Sequence, residues 1–353
     1  MFRVIARQLR IDGIKMRSGT SLLLLSLALV CEKKSMCLGQ TVCGRTTPFN
    51  ASVRISKDIV DTRLIEGCVV NQNIVGLRAY GSVRVFEEDT FVNLPNLEEL
   101  MLFELDVHEV QPGFIKNAPN TKVIELHKNQ IENVRHGVFN GKFLRLAVLN
   151  LSNNRIQSIN KEAFSDLSTD RLHLYGNLLR SVGDWFEGTS VVRLDLSENL
   201  LMFLKKDSFN KIQKLKEIYL RRNRILYIEA GTFENLQLWL IDLAQNFLHD
   251  IAVLGKITSR RLDISFNKVS YIQLLEETNI EHLTIYPNPW NCQCLHKFWK
   301  LAWKRGITYG FDPAWSKMNE TTPICVHRSE CDERHIDAQL HEEYYRHFAI
   351  YYS

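Results

Sequence analysis

An asparagine recurs along this chain at 129, 154, 177, 199, 223, 246, 267 and 288, and each one closes a version of leucine-x-x-leucine-x-leucine-x-x-asparagine. The intervals are 25, 23, 22, 24, 23, 21 and 21 residues. The clearest copy is Leu146-Ala-Val-Leu149-Asn-Leu151-Ser-Asn-Asn154, and Leu215, Ile218, Leu220, Asn223 and Leu238, Ile241, Leu243, Asn246 repeat it. A ninth copy, Leu97, Leu100, Leu102, carries Leu105 in place of the asparagine, and an irregular opening copy occupies about residues 74–93. Self-similarity at such a period dictates a stack of like units. One unit cannot bury its own apolar side, so its neighbours must supply the core.

Within each copy the middle leucines alternate with polar residues, the period of a half-buried strand. The asparagine ends the strand, where its amide can satisfy backbone groups of the turn and stacked copies can bond one another. Ten residues after most asparagines comes a phenylalanine (Phe139, Phe164, Phe209 and Phe233), with Phe114 and Phe186 one residue early. These should stack as a spine on the convex side. The predicted fold is α/β: a right-handed leucine-rich repeat solenoid, or horseshoe, with a parallel concave sheet and disulfide-stapled caps at both ends.

The ends of such an array expose its core unless capped. Residues 288–294 read Asn-Pro-Trp-Asn-Cys-Gln-Cys, and a predicted helix with Phe298, Trp299, Leu301, Ala302 and Trp303 follows. Cys292 and Cys294 flank one residue and cannot easily pair together, so each reaches to Cys325 or Cys331. Four cysteines could also hold zinc, but a secretory leader favours disulfides. That leader is residues 1–31. A ten-residue apolar run at 21–30 follows Arg17 and precedes the polar stretch from Glu32 to Ser35, with Met16 as an alternative start. Cleavage after Cys31 leaves Cys37 as the odd thiol, a candidate for an intermolecular bridge; cleavage after Gly39 removes it. Cys43 and Cys68 read as one bridge closing the N-terminal cap. The expected division is leader 1–31, cap 32–73, repeats 74–288, cysteine-rich cap 289–331 and tail 332–353.

The asparagine ladder, together with Asn288-Pro-Trp-Asn-Cys-Gln-Cys, Cys325 and Cys331, resembles the extracellular leucine-rich repeat proteins. The second element is similar to the cysteine-rich C-terminal flank of Slit, Toll-type receptors and many secreted animal proteins. Within that family the chain looks most like the short soluble insect proteins of the mosquito immune group. The resemblance implies Cys292–Cys325 and Cys294–Cys331 pairing, and a binding role without a named ligand. The chain departs from the family in an N-terminal cap with two cysteines rather than four and in a short Cys325–Cys331 gap.

The polar positions between strand leucines form three columns on the concave face. One concentration across them, Arg171, His173, Tyr175, Arg193, Tyr219 and Arg221, is rich in the residue types of binding hot spots. It suggests a protein-binding or anionic-glycan patch; the alternative is an ordinary solvated face. The aspartates of Leu194-Asp-Leu-Ser and Leu262-Asp-Ile-Ser read as structural. Three glycosylation sequons occur, at Asn50, Asn150 and Asn319, and Asn150 falls inside the second column. No phosphate loop, nucleophile elbow or HExxH helix appears. His341 and His347 lie six apart, on different faces of a helix, so no metal or other cofactor is expected. The chain is therefore not expected to be an enzyme. The tail carries Ile336, Leu340, Tyr344, Phe348 and Tyr351, which would pack on the cap or form a dimer surface. The net charge of +4 belongs to the leader: removing five basic and one acidic residue leaves 39 against 39. Nucleic-acid binding is thus not expected, and no apolar run reaches the ~18–20 residues of a membrane span. The expectation is a secreted extracellular recognition protein of innate immunity, with extracellular proteins or microbial surface ligands as partners. A matrix or adhesion component, or a decoy of a signalling ligand, is the alternative.

Overall fold

The computed structural model describes residues 49–55, 58–64, 73–139, 142–249, 257–272, 279–311, 325–331, 339–344 and 346. The leader, Cys37, Cys43, Cys68 and Asn319 lie outside the described residues, and so does the proposed Cys43–Cys68 bridge.

Alternation of leucine with polar residues makes each copy begin as a strand, and stacking aligns those strands into one sheet of 13. Numbering its strands in chain order, β1 (Phe49–Ile55) and β2 (Asp58–Leu64) form an antiparallel hairpin, and β1 also runs antiparallel to β3 (Ile74–Tyr80). From β3 onward every pairing is parallel. The strands are β4 (Glu99–Met101), β5 (Val123–Glu125), β6 (Leu146–Asn150), β7 (Ser168–His173) and β8 (Ser190–Asp195), followed by β9 (Glu217–Tyr219), β10 (Gln237–Asp242), β11 (Thr258–Asp263), β12 (Asn279–Tyr286) and β13 (Thr308–Phe311). The central leucines or isoleucines, among them Leu100, Ile124, Leu149, Leu172, Leu194, Ile218 and Ile241, stack in register and are fully buried.

The repeat asparagines are buried and face backwards. Asn199 Oδ1 accepts from Leu179 N of the preceding copy at 3.0 Å, while its Nδ2 donates to Leu174 O of that copy and Leu196 O of its own at 3.0 and 3.1 Å. Asn154, Asn177, Asn223, Asn246 and Asn267 repeat the arrangement. The bonds thus run from side chain to backbone across copies, rather than between stacked asparagines. The residue just before each asparagine except Asn288, which follows Pro287, takes a left-handed backbone: Lys128, Asn153, Gly176, Glu198, Arg222, Gln245 and Phe266 all have φ between 52° and 66°. Only Gly176 does so without steric cost, and a Cβ there would also meet Asn153 Oδ1 at 2.5 Å.

The phenylalanine spine runs unbroken from Phe86 through Phe91, Phe114, Phe139 and Phe164 to Phe186, with centroids 5.6 to 6.2 Å apart, and Phe209 stacks on Phe233 further on. At the C-terminal end Asn288 closes the last turn, accepting from Asn267 N and Val269 N. Trp290, fully buried, donates its indole N–H to Ile285 O. Helix α1 (Cys292–Lys304) starts at Asn291, whose side chain accepts from Gln293 N and Cys294 N. It buries Leu295, Phe298 and Ala302 and leaves Trp303 85% exposed. Disulfides Cys292–Cys325 and Cys294–Cys331 pin this helix, the pairing that the resemblance implies. β13 then extends the repeat sheet beyond the last copy. The tail returns to the cap: Leu340 and Tyr344 are buried with Val326, Arg328 pairs with Glu343, and His341 stacks on His249 at 5.0 Å.

Candidate ligand-binding surface

The polar positions of β4 to β12 form two unbroken columns across the concave sheet. In the first, Arg171 stands beside Arg193, then Glu217, Leu240, Arg261 and His282. In the second, Asn150 is followed by His173, Asp195, Tyr219, Asp242 and Asp263. The six expected site residues therefore lie together on three successive strands, β7 to β9, and the turns that follow them.

Within that group most polar atoms already have partners. Glu217 Oε2 accepts from the Tyr219 hydroxyl at 2.8 Å and pairs with Arg193 Nε at 3.0 Å. Burial, with Glu217 beside it, raises the Tyr219 phenol to about 12, so it remains a donor at any physiological pH. Arg221 Nε donates to Gln245 Oε1 at 3.1 Å, an oxygen that Arg222 also uses. The Tyr175 hydroxyl accepts from Asn153 Nδ2 at 3.0 Å, and His173 Nδ1 lies 3.9 Å from Asp195. Arg171 is exposed and forms no ion pair among the described residues. The result is a pre-positioned lattice of donors with one unengaged guanidinium at its edge.

The aspartates do structural work, as their repeat wording suggests. Asp195, Asp242 and Asp263 each accept the backbone N–H two residues on, at 2.9 to 3.0 Å. Asn150 does the same for Ser152 and donates its Nδ2 to Glu125 at 2.7 Å. This sequon asparagine is half-buried in β6 with both amide atoms engaged.

Two further features involve residues outside the strand columns. Near the N-terminal end Arg78 lies over Tyr80 and Phe103, Phe103 stacks on His127 at 4.6 Å, and His127 Nδ1 meets Glu125 at 2.8 Å. Further along, on β10, Trp239 is exposed on the rim with Arg260 over its ring. Its column precedes the strand core, where the repeat pattern prescribes nothing, although an unpatterned tryptophan was itself a signal. Among the described residues no group of histidines, cysteines and acids is placed to hold a metal ion, and no helix is long and apolar enough to cross a membrane.

Comparison with known proteins agrees with this geometry. The family model described as "Leucine rich repeat" matches residues 109–188 and 189–248. Toll-like receptor 10 of Bos taurus is 38% identical over 92 residues, covering 26% of this chain and 11% of the receptor. Lumican of Gallus gallus is 31% identical over 232 residues, covering 62% of this chain and 65% of lumican. Among solved structures, the Toll–Spatzle complex of Drosophila superposes with a TM-score of 0.51 at 20% identity, covering 69% of this chain and 39% of that one. The chain spans less than two thirds of the length of each of these relatives. The chain is a leucine-rich repeat solenoid. More narrowly, it is similar to extracellular leucine-rich repeat proteins such as lumican, and its own array closes in a disulfide-bonded flank.

Proposed function

We propose that this chain is a secreted recognition protein that binds protein ligands through the concave surface of β7 to β9. The observation that carries the reading is the register: Arg171, His173, Tyr175, Arg193, Tyr219 and Arg221 converge on adjacent strands of a rigid sheet. Internal hydrogen bonds fix most of them in one geometry, which lowers the ordering cost of binding. The relatives have binding or structural roles rather than enzymatic ones, which supports a non-catalytic function. They include extracellular matrix proteins and immune receptors, so both an immune recognition role and a matrix or adhesion role keep support. Glycosylation at Asn50, Asn150 and Asn319, and pairing of Cys43 with Cys68, belong to this secreted reading. A dimer through Cys37 would add a second subunit to it.

The test is capture from extracellular fluid on the immobilised full chain, with Arg171→Glu/Tyr219→Ala in parallel. Loss of a specific protein from the variant supports the reading, whereas equal capture by both overturns it. Transcript levels with and without infection then separate the immune role from the matrix role.

A further inference from the structure

Along the rim where the strands begin, Trp239 projects 45% exposed, a placement that burial would normally avoid for the largest apolar side chain. Its backbone N–H donates to Lys216 O on the neighbouring copy at 2.6 Å. On its other side the Arg260 guanidinium lies over the indole, 5.6 Å from the ring centroid. Lys216 Nζ rests on the Gln237 carbonyl at 3.2 Å, and Lys214 and Arg261 are exposed close by. None of these four cations forms an ion pair among the described residues. Of the nearby carboxylates, Glu217 is shared by Arg193 and Tyr219, Glu281 stands beside Arg260 on the next strand, and Asp242 and Asp263 lie in the second concave column, where they accept backbone N–H groups.

A cluster of four cations with no direct ion pair among the described residues favours anions locally. The indole adds a flat apolar platform, and Gln237 and Thr258, paired in register at the starts of β10 and β11, add hydrogen-bonding groups. A protein interface would gather several apolar anchors into a desolvated centre. Here the column neighbours of Trp239 are Lys216 and Arg260, with Val192 and Glu281 one copy further out, so the indole stands alone among charges. Lys216 and Arg260 are two strand spacings apart, about 10 Å, the length scale of a disaccharide.

We propose that this rim binds an anionic polysaccharide, the indole stacking on a sugar ring while Lys214, Lys216, Arg260 and Arg261 meet its sulfate or carboxylate groups. The site uses none of the six concave residues above, so it stands or falls separately from the protein-recognition reading.

The test is elution of the full chain from immobilised heparin in a salt gradient, with far-UV circular dichroism confirming that each variant is folded. Lys216→Gln/Arg260→Gln/Arg261→Gln should weaken binding by about tenfold. A control removing as much charge from another face, Lys205→Gln/Arg180→Gln/Arg155→Gln, should leave elution close to wild type. Trp239→Ala should weaken binding about threefold without changing its salt dependence. Elution of the rim triple variant with the wild type overturns the proposal. So does displacement by poly-glutamate at matched charge together with indifference to Trp239→Ala, which would make the rim a site for acidic polypeptide.

Discussion

Replacing Asp242 by asparagine should stabilise this protein at neutral pH. Asp242 lies in the second concave column between Tyr219 and Asp263. Burial, reinforced by the charges of Asp263 and Asp195, pushes its carboxyl up to about 6, although the Ala244 N–H and Arg221 act in the opposite sense. Against an unfolded value near ~3.9 the shift is about 2 units, or at most about 3 kcal/mol. The side chain keeps some contact with solvent, so an effect of about 1–2 kcal/mol is the better expectation. The sign follows from proton counting. Between pH ~4 and ~6 the folded state holds the proton more tightly than the unfolded one, so stability falls as pH rises through that window and levels off above it. Asparagine removes the buried charge and keeps an oxygen for Ala244 N, the role Asn150 already fills for Ser152 in the same column. Urea midpoints measured from pH 4 to 8 should show Asp242→Asn above wild type at pH 7.5, with the gap closing toward pH 4. A variant less stable at pH 7.5, or a gap independent of pH, would refute the reasoning.

Two further substitutions probe the scaffold. Asn199→Ala leaves Leu179 N, Leu174 O and Leu196 O without their side-chain partner and should cost about 2–4 kcal/mol in chemical denaturation. Truncation after Cys331 keeps both disulfides but removes the buried Leu340 and Tyr344; it should lower stability by about 2–4 kcal/mol and leave the oligomeric state in solution unchanged, whereas loss of a dimer would point to a tail interface.

The central sheet was legible because its signal is periodic. Once the middle leucines were aligned, the two column registers followed residue by residue, from Glu99 beside Val123 to Asp263 beside Thr284. The spine was legible only in part. Phe86 and Phe91 precede even Leu105, the first turn-closing position of the pattern, so no ten-residue interval points to them. The N-terminal hairpin of β1 and β2 follows no repeat rule and was missed. So was the left-handed turn residue, because the identities there (Lys128, Glu198, Arg222, Phe266) carry no turn preference; the stacking of copies imposes the conformation. For the candidate surface, composition revealed which residues gather on β7 to β9. It could not show that Glu217 ties down both Arg193 and Tyr219, since that depends on side-chain geometry across two strands.

The backward reach of the asparagines has a consequence for biosynthesis. A copy leaving the ribosome lacks the acceptor and donors that complete its own turn until the following copy has emerged. At roughly 5–20 residues per second, that lag is a few seconds per repeat. The copy that ends at Asn267 waits for Asn288, which lies four residues ahead of the first cap cysteine. The nascent array therefore always trails one unfinished coil, and the segment that finishes the last coil is the one that brings the thiols for oxidative locking.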